Sequence, residues 1–173
     1  MPAKEMIFDL SQIDTNKVVA NIDEIRRFNP QRFEMEQLTA IVYEDLVSRI
    51  CIGYRDVTDK EFWVRGHMPE MPLMPGVVML EVAAQVCSYF TVKHKFHGDS
   101  IVGFGGLEEV RFRDPVYPGD RLIMVCELTK VRPQRMVVCS FQGFVRDSVV
   151  VEGILKGVPI AKPGQVGIET ESK

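Results

Sequence analysis

The run Gly76-Val77-Val78-Met79-Leu80-Glu81-Val82-Ala83-Ala84-Gln85-Val86-Cys87-Ser88-Tyr89-Phe90-Thr91 decides the architecture. It has no Gly or Pro past its first residue, and Pro75-Gly76 suits the start of a helix. Up to Phe90 its only polar residues are Glu81, Gln85 and Ser88. Their i, i+4, i+7 spacing puts them on one stripe of a helix. Everything else is apolar, so no broad face is left for water and the helix must be buried nearly all round. A buried helix with one narrow polar stripe fits a helix wrapped by a sheet.

The flanks supply that sheet. Beyond Gly98, β patterns cover residues 101–112, 121–131, 135–145 and 149–158. Tyr117-Pro118-Gly119-Asp120, Arg132-Pro133-Gln134 and Asp147-Ser148 provide the turns. Connections this short predict an antiparallel meander rather than βαβ units. Upstream, residues 39–45 and 46–57 have β character, with Ile50, Ile52 and Tyr54 alternating against Arg49, Cys51 and Gly53. Pro69, Pro72 and Pro75 keep the segment before the helix irregular. Residues 21–28 predict a short amphipathic helix, with caps at Thr15 or Asn16 and a break at Asn29-Pro30. The expected organisation is an N-terminal extension over 1–28, an α+β domain over 29–160 and a frayed tail over 161–173.

At 173 residues the chain suits one domain with a core of its own. Hydrophobic and charged contents of 46% and 26% are those of a globular protein, and a net charge of −3 argues against nucleic acid as a partner. The N-terminus leads into no sustained apolar segment, so no secretory signal is expected. No stretch approaches the roughly 20 apolar residues of a membrane span. The four cysteines, Cys51, Cys87, Cys126 and Cys139, lack metal-ligand spacing; three sit among aliphatics and read as reduced core residues, and a cytoplasmic protein is expected.

Chemistry concentrates between Gly66 and Gln85. His67 sits on a proline-stiffened loop, and histidine is the side chain best poised as a base near neutral pH. Glu81 follows inside an apolar helix, where burial favours the protonated carboxyl that a general acid needs. The helix N-terminus at Gly76 offers free N–H groups and the positive end of the helix dipole to a developing enolate oxygen. Each piece also has a plainer explanation: an incidental loop histidine, a satisfied core carboxyl, an ordinary helix start. The Met68, Met71, Met74 and Met79 series reads as core filling rather than a metal site.

The pattern His67-Met68-Pro69-x-x-Pro72-Leu73-Met74-Pro75-Gly76-Val77-x-x-x-Glu81-x-x-Ala84-Gln85 resembles H-F-P-G-x-P-x-M-P-G-V-x-x-x-E-A-x-A-Q, the signature of the 3-hydroxyacyl-acyl carrier protein dehydratases. Val57-Thr58, Phe62-Trp63 and Gly66 are similar to that family's approach to the histidine, and Pro30-Gln31-Arg32-Phe33 to its P-H-R-Y start. Residues 112–122 resemble its F-x-x-P-V-x-P-G-D-x-L turn. The resemblance covers roughly residues 30–158.

It implies a hot-dog fold, an antiparallel sheet wrapped around a long helix, in a dimer with the active site at the interface. It implies that His67 abstracts the C2 proton, that Glu81 from the other subunit protonates the C3 hydroxyl, and that the Gly76 N–H polarises the thioester carbonyl. No metal or redox cofactor is implied; the partner is acyl carrier protein, whose 4'-phosphopantetheine arm carries the substrate. Its docking would use local basic residues, with Lys93, Lys95, Arg111, Arg113, Arg132 and Arg135 as candidates.

Departures are Met68 for Phe, Glu70 for Gly, Val82 for Ala, Gln31 for His and Glu34 for Pro, and the N-terminal extension has no counterpart. They bear on substrate choice more than on the pair His67 and Glu81, which stay in register. Two alternatives remain: a hot-dog thioesterase, in which the helix acid serves water attack, and a non-catalytic acyl-binding protein with the same fold.

Overall fold

The computed structural model describes residues 5–98 and 100–160; the tail expected over 161–173 lies outside the described residues. Six strands form one antiparallel sheet: β1 (Ala40–Asp45), β2 (Ile50–Asp56), β3 (Ile101–Phe112), β4 (Arg121–Arg132), β5 (Met136–Val145) and β6 (Ser148–Ile160). The long helix predicted from residue 76 runs over Gly76–Lys93, two residues further than its pattern suggested, and is called α2 here. The sheet curls around it, and nearly all of its side chains from Val78 to Thr91 are buried.

Local chemistry sets several boundaries. Residues 46–49, read as strand from sequence, are the β1–β2 turn instead. The Asp45 carboxylate accepts from the Val47 N–H at 2.9 Å and from the Ser48 hydroxyl at 2.6 Å, and Arg49 adopts a left-handed φ of 58°. The short N-terminal helix α1 covers only Ile22–Ile25. Its cap is Asn21, not Thr15 or Asn16, because the Asn21 side-chain oxygen accepts the Glu24 N–H at 3.1 Å.

The alternation in β2 separates two kinds of surface. Cys51 and Gly53 face α2, and a Cβ on Gly53 would sit 3.1 Å from Val86 Cγ2 and 2.9 Å from Ile41 Cδ1, so a small residue is what lets helix and sheet approach. Ile50, Ile52 and Tyr54 face away from the helix. That outer face is dry as well, because Ile7, Phe8, Leu10 and Ile13 pack over it. The arm is pinned by Gln142, whose side chain accepts from the Ile7 N–H at 2.8 Å and donates to the Glu5 carbonyl at 3.2 Å.

Strand order is β1-β2-β4-β5-β6-β3, which corrects the expected meander. β4, β5 and β6 do follow one another, but β3 pairs with β6 at the far edge and makes no ladder with β4. The reason lies in the connection. Residues 113–120 are too many, and too rich in proline, for a tight hairpin; they cross the mouth of the curled sheet instead. Val116 is fully buried there and its carbonyl accepts the Met74 N–H at 2.7 Å. The crossing carries the chain from one edge to the interior of the sheet, and it places the end of β3 beside the start of α2.

Candidate active site

The loop before α2 is held by its own backbone. The His67 N–H donates to the Trp63 carbonyl at 2.7 Å, and the His67 carbonyl accepts the Leu73 N–H at 3.1 Å. Trp63 is buried, so the loop is anchored in the core at one end and by α2 at the other. The His67 Nδ1 lies 3.0 Å from the Leu73 carbonyl oxygen. A carbonyl only accepts, so Nδ1 carries the proton, and in the neutral ring Nε2 keeps its lone pair. The ring is thereby prepared as a base at Nε2.

His67 and Gly76 line one cavity of about 500 Å³, whose walls include Leu73, Val77, Phe112 and Arg113. At its floor α2 begins without a side-chain cap on Pro75. The first helical hydrogen bonds come from Val78 and Met79, both to the Pro75 carbonyl, at 2.9 and 3.2 Å. The Gly76 and Val77 N–H groups therefore have no backbone acceptor among the described residues, and they stand at the positive end of the helix dipole. A Cβ on Gly76 would lie 2.7 Å from Phe112 Cε1. The glycine keeps that approach open.

Glu81 occupies a different place. It lines a cavity of about 140 Å³ together with Gln31, Ala84, Ser88 and β3 residues, and none of these also lines the His67 cavity. Within one chain the structure thus joins His67 with Gly76 and leaves Glu81 apart. Glu81 Oε1 accepts from Gln85 Nε2 at 2.8 Å and from Gln31 Nε2 at 3.3 Å. The Gln85 amide is fixed in orientation, since its oxygen accepts the Gln37 N–H at 2.9 Å and its nitrogen also donates to the Met35 carbonyl at 2.6 Å. With Oε1 engaged as an acceptor, a proton on Glu81 belongs on Oε2.

Sequence reasoning placed Gln85 on the polar stripe but gave it no role, and treated Gln31 only as a departure. The i, i+4 spacing of Glu81 and Gln85 was the available signal; the partners from residues 29–37 are some fifty positions away in the chain. Among the six proposed docking cations, Lys93 and Arg113 are committed to carboxylates. Lys93 Nζ donates to Glu44 Oε1 at 2.7 Å, in a cluster that also holds Tyr89 and His94. Arg113 pairs with the buried Glu152. Burial pushes the Glu152 carboxyl up, but the hydrogen bonding and charge of Arg113, joined by Gln142 and the charge of Arg111, together hold it below the ordinary carboxylate value. Among the described residues no cluster of His, Cys, Asp or Glu could hold a metal ion, and no helix is long and apolar enough to cross a membrane.

A model of the FabA-like domain matches residues 29–154, from the segment whose residues hydrogen-bond to Gln85 to the middle of β6. The chain belongs to the FabA-like family. Relatives within reach of this family include the 3-hydroxyacyl-[acyl-carrier-protein] dehydratase FabZ of Clostridioides difficile, 34% identical over 78% of this chain and 94% of that protein. The FabZ of a Hydrogenobaculum species is 38% identical over 76% of this chain and 89% of its own length. Among solved structures, the dehydratase heterocomplex ApeI:P from Xenorhabdus doucetiae superimposes with a TM-score of 0.67 at 17% identity, over 80% of this chain and 91% of that one. An acyl-CoA hydrolase from Staphylococcus aureus reaches a TM-score of 0.52 at 15% identity, over 68% of each chain. Likeness at that level carries the hot-dog fold and not the chemistry. In the FabA-like family assignment, the matched region contains both His67 and Glu81.

Proposed function

We propose that this protein dehydrates 3-hydroxyacyl-acyl carrier protein to the trans-2-enoyl thioester, as a step of fatty-acid-type synthesis. The observation that carries the reading is the His67 ring, fixed by Leu73 with Nε2 as its basic atom, in one cavity with the uncapped N-terminus of α2. The substrate thioester lies across that N-terminus. His67 Nε2 takes the C2 proton, and the Gly76 N–H with the helix dipole stabilises the enolate oxygen. The electron pair then forms the C2–C3 double bond as the C3–O bond breaks. The departing hydroxyl takes the proton of Glu81 Oε2 and leaves as water.

In this reading the acid facing each His67 is Glu81 of the partner subunit, which the separate cavities lined by His67 and Glu81 within one chain support. The unpaired edge of β3 supports such a dimer. β3 is long, pairs only with β6 among the described strands, and exposes Phe104, Leu107 and Phe112, with Val77 beside them 72% exposed. A long apolar edge is a surface that proteins cover, and a two-fold axis along it lets two copies cover each other. The four free, buried cysteines support a reducing, cytoplasmic setting.

The test is Glu81→Gln, which keeps volume and hydrogen bonding but removes the transferable proton. Dehydration should fall by about 10²–10⁴-fold, the scale of an acid–base contribution, while dimer mass and melting temperature hold. A folded variant with full turnover would remove Glu81 from the mechanism. With 3-hydroxyacyl-carrier as substrate, release of free acid by the native protein would instead indicate a thioesterase, and no product an idle binding protein.

A further inference from the structure

The cavity beside Glu81 is more polar than an alkyl chain requires. Ser88 is 4% exposed, lines the cavity, and its hydroxyl has no hydrogen-bond partner. The Gln31 side-chain oxygen, on the same cavity, is also buried and unpartnered. Buried polar groups are paired as a rule, and each one left bare is costly. The remaining walls are apolar: Ala84, Val102, Phe104 and Leu155.

The positions order these groups along α2. Glu81 and Ser88 are seven residues apart, about 10 Å along the helix axis, with Ala84 between them. In the dehydration reading Glu81 marks C3 of the substrate, so the cavity running from Glu81 towards Ser88 receives the acyl group beyond C3. Its volume of about 140 Å³ is small. An apolar cavity of about 150 Å³ holds a group the size of benzene, roughly six heavy atoms. The Gln31 oxygen can only accept a hydrogen bond, while the Ser88 hydroxyl can donate or accept. A hydroxyl on the substrate can pair with Ser88 as donor or acceptor, and one within reach of Gln31 can donate to its oxygen. An alkyl end satisfies neither. A carboxylate is disfavoured, because Glu81 is the ionisable group on the cavity and no cation lines it.

We propose that this cavity selects short 3-hydroxyacyl thioesters that carry a second, neutral hydroxyl near the end of the acyl chain. The inference rests on the dehydratase reading and adds the substrate class to it. The experiment compares two pantetheine thioesters with about three to five carbons beyond C3, the range a cavity of this size holds. One ends in a hydroxymethyl group and the other in the matching methyl. The full-length protein should favour the hydroxylated substrate by at least about ten-fold in kcat/KM, since a site built around a hydroxyl rejects the analogue lacking it. Ser88→Ala removes only an unpartnered hydroxyl, so folding is retained, and it should erase most of that preference.

Equal rates with both thioesters, or a preference that survives Ser88→Ala, would overturn the proposal and leave water as the occupant of the polar end. If the native protein turned over neither substrate, the dehydratase reading would be the one at fault. Calorimetric binding of the same two thioesters then decides the selectivity by the same ten-fold criterion, with equal affinities overturning it.

Discussion

Replacing Gln85 by Met should both destabilise the fold and disable the acid. Met matches Gln in length and fills the same space, so packing around α2 is preserved and the change reports on hydrogen bonds. Gln85 is 2% exposed and makes three of them, to the Gln37 N–H, the Met35 carbonyl and Glu81. Gln37 is 1% exposed, so its N–H has no access to water once its acceptor is gone. A stranded buried donor costs about 1–3 kcal/mol, and losing a bond to a carboxylate costs about as much. Met35 sits at the surface, so its carbonyl recovers a water partner. The total is about 3 kcal/mol, which for a domain of this size lowers Tm by about 6–12 °C. Glu81 meanwhile loses the better of its two amide contacts. A misplaced acid of this kind costs about 10²-fold in turnover. Scanning calorimetry reads the first effect and the rate of enoyl-thioester hydration the second. A Tm within about 2 °C of the native value would refute the inferred network, since a thioether is only a weak acceptor and has no N–H to donate.

Two further perturbations follow from the geometry. Gly76→Ala drives a Cβ to within 2.7 Å of the Phe112 ring and disturbs the N-terminus of α2, so kcat should fall by about 10²-fold, as on loss of an aligned oxyanion donor; an unaltered kcat would remove Gly76 from the oxyanion site. His97 is buried with neither ring nitrogen hydrogen-bonded among the described residues, and burial holds its pKa below the usual 6.5. The unfolded chain then binds the proton more readily, so this contribution is complete above the unfolded pKa and fades as pH falls through about 6.5 toward the depressed folded value. His97→Phe should flatten the decline of the urea midpoint between about pH 7.5 and 5.5; an equally steep decline in the variant would contradict it.

Much of this was legible in the chain because the relevant forces act over short separations. The run from Gly76 to Thr91 announces a helix by the absence of a wet face, and it also isolates Glu81, Gln85 and Ser88. The four strands after Gly98 follow from alternation and turn residues. What stayed hidden depends on contacts distant in sequence. Strand pairing is one case: a short connection between β3 and β4 predicts neighbours only if it turns tightly, and nothing local says that Val116 prefers the core. The Ile50, Ile52 and Tyr54 face is another, since its cover comes from the arm around Phe8. The same holds for Gln85, whose hydrogen-bond partners come from the segment around residues 35–37, and for Lys93 and Arg113, which the fold commits to Glu44 and Glu152.

The trans arrangement of acid and base is tested most directly by mixing two inactive variants. His67→Ala and Glu81→Gln homodimers each lack one partner at both sites. After subunit exchange, half of the dimers are mixed, and each mixed dimer carries both lesions at one site and neither at the other. Activity should recover to about a quarter of the native level, the share set by two-fold symmetry with random exchange. If His67 worked with Glu81 of its own chain, every site would keep one lesion. The mixture would then stay as inactive as its parents, with subunit exchange verified by native mass spectrometry.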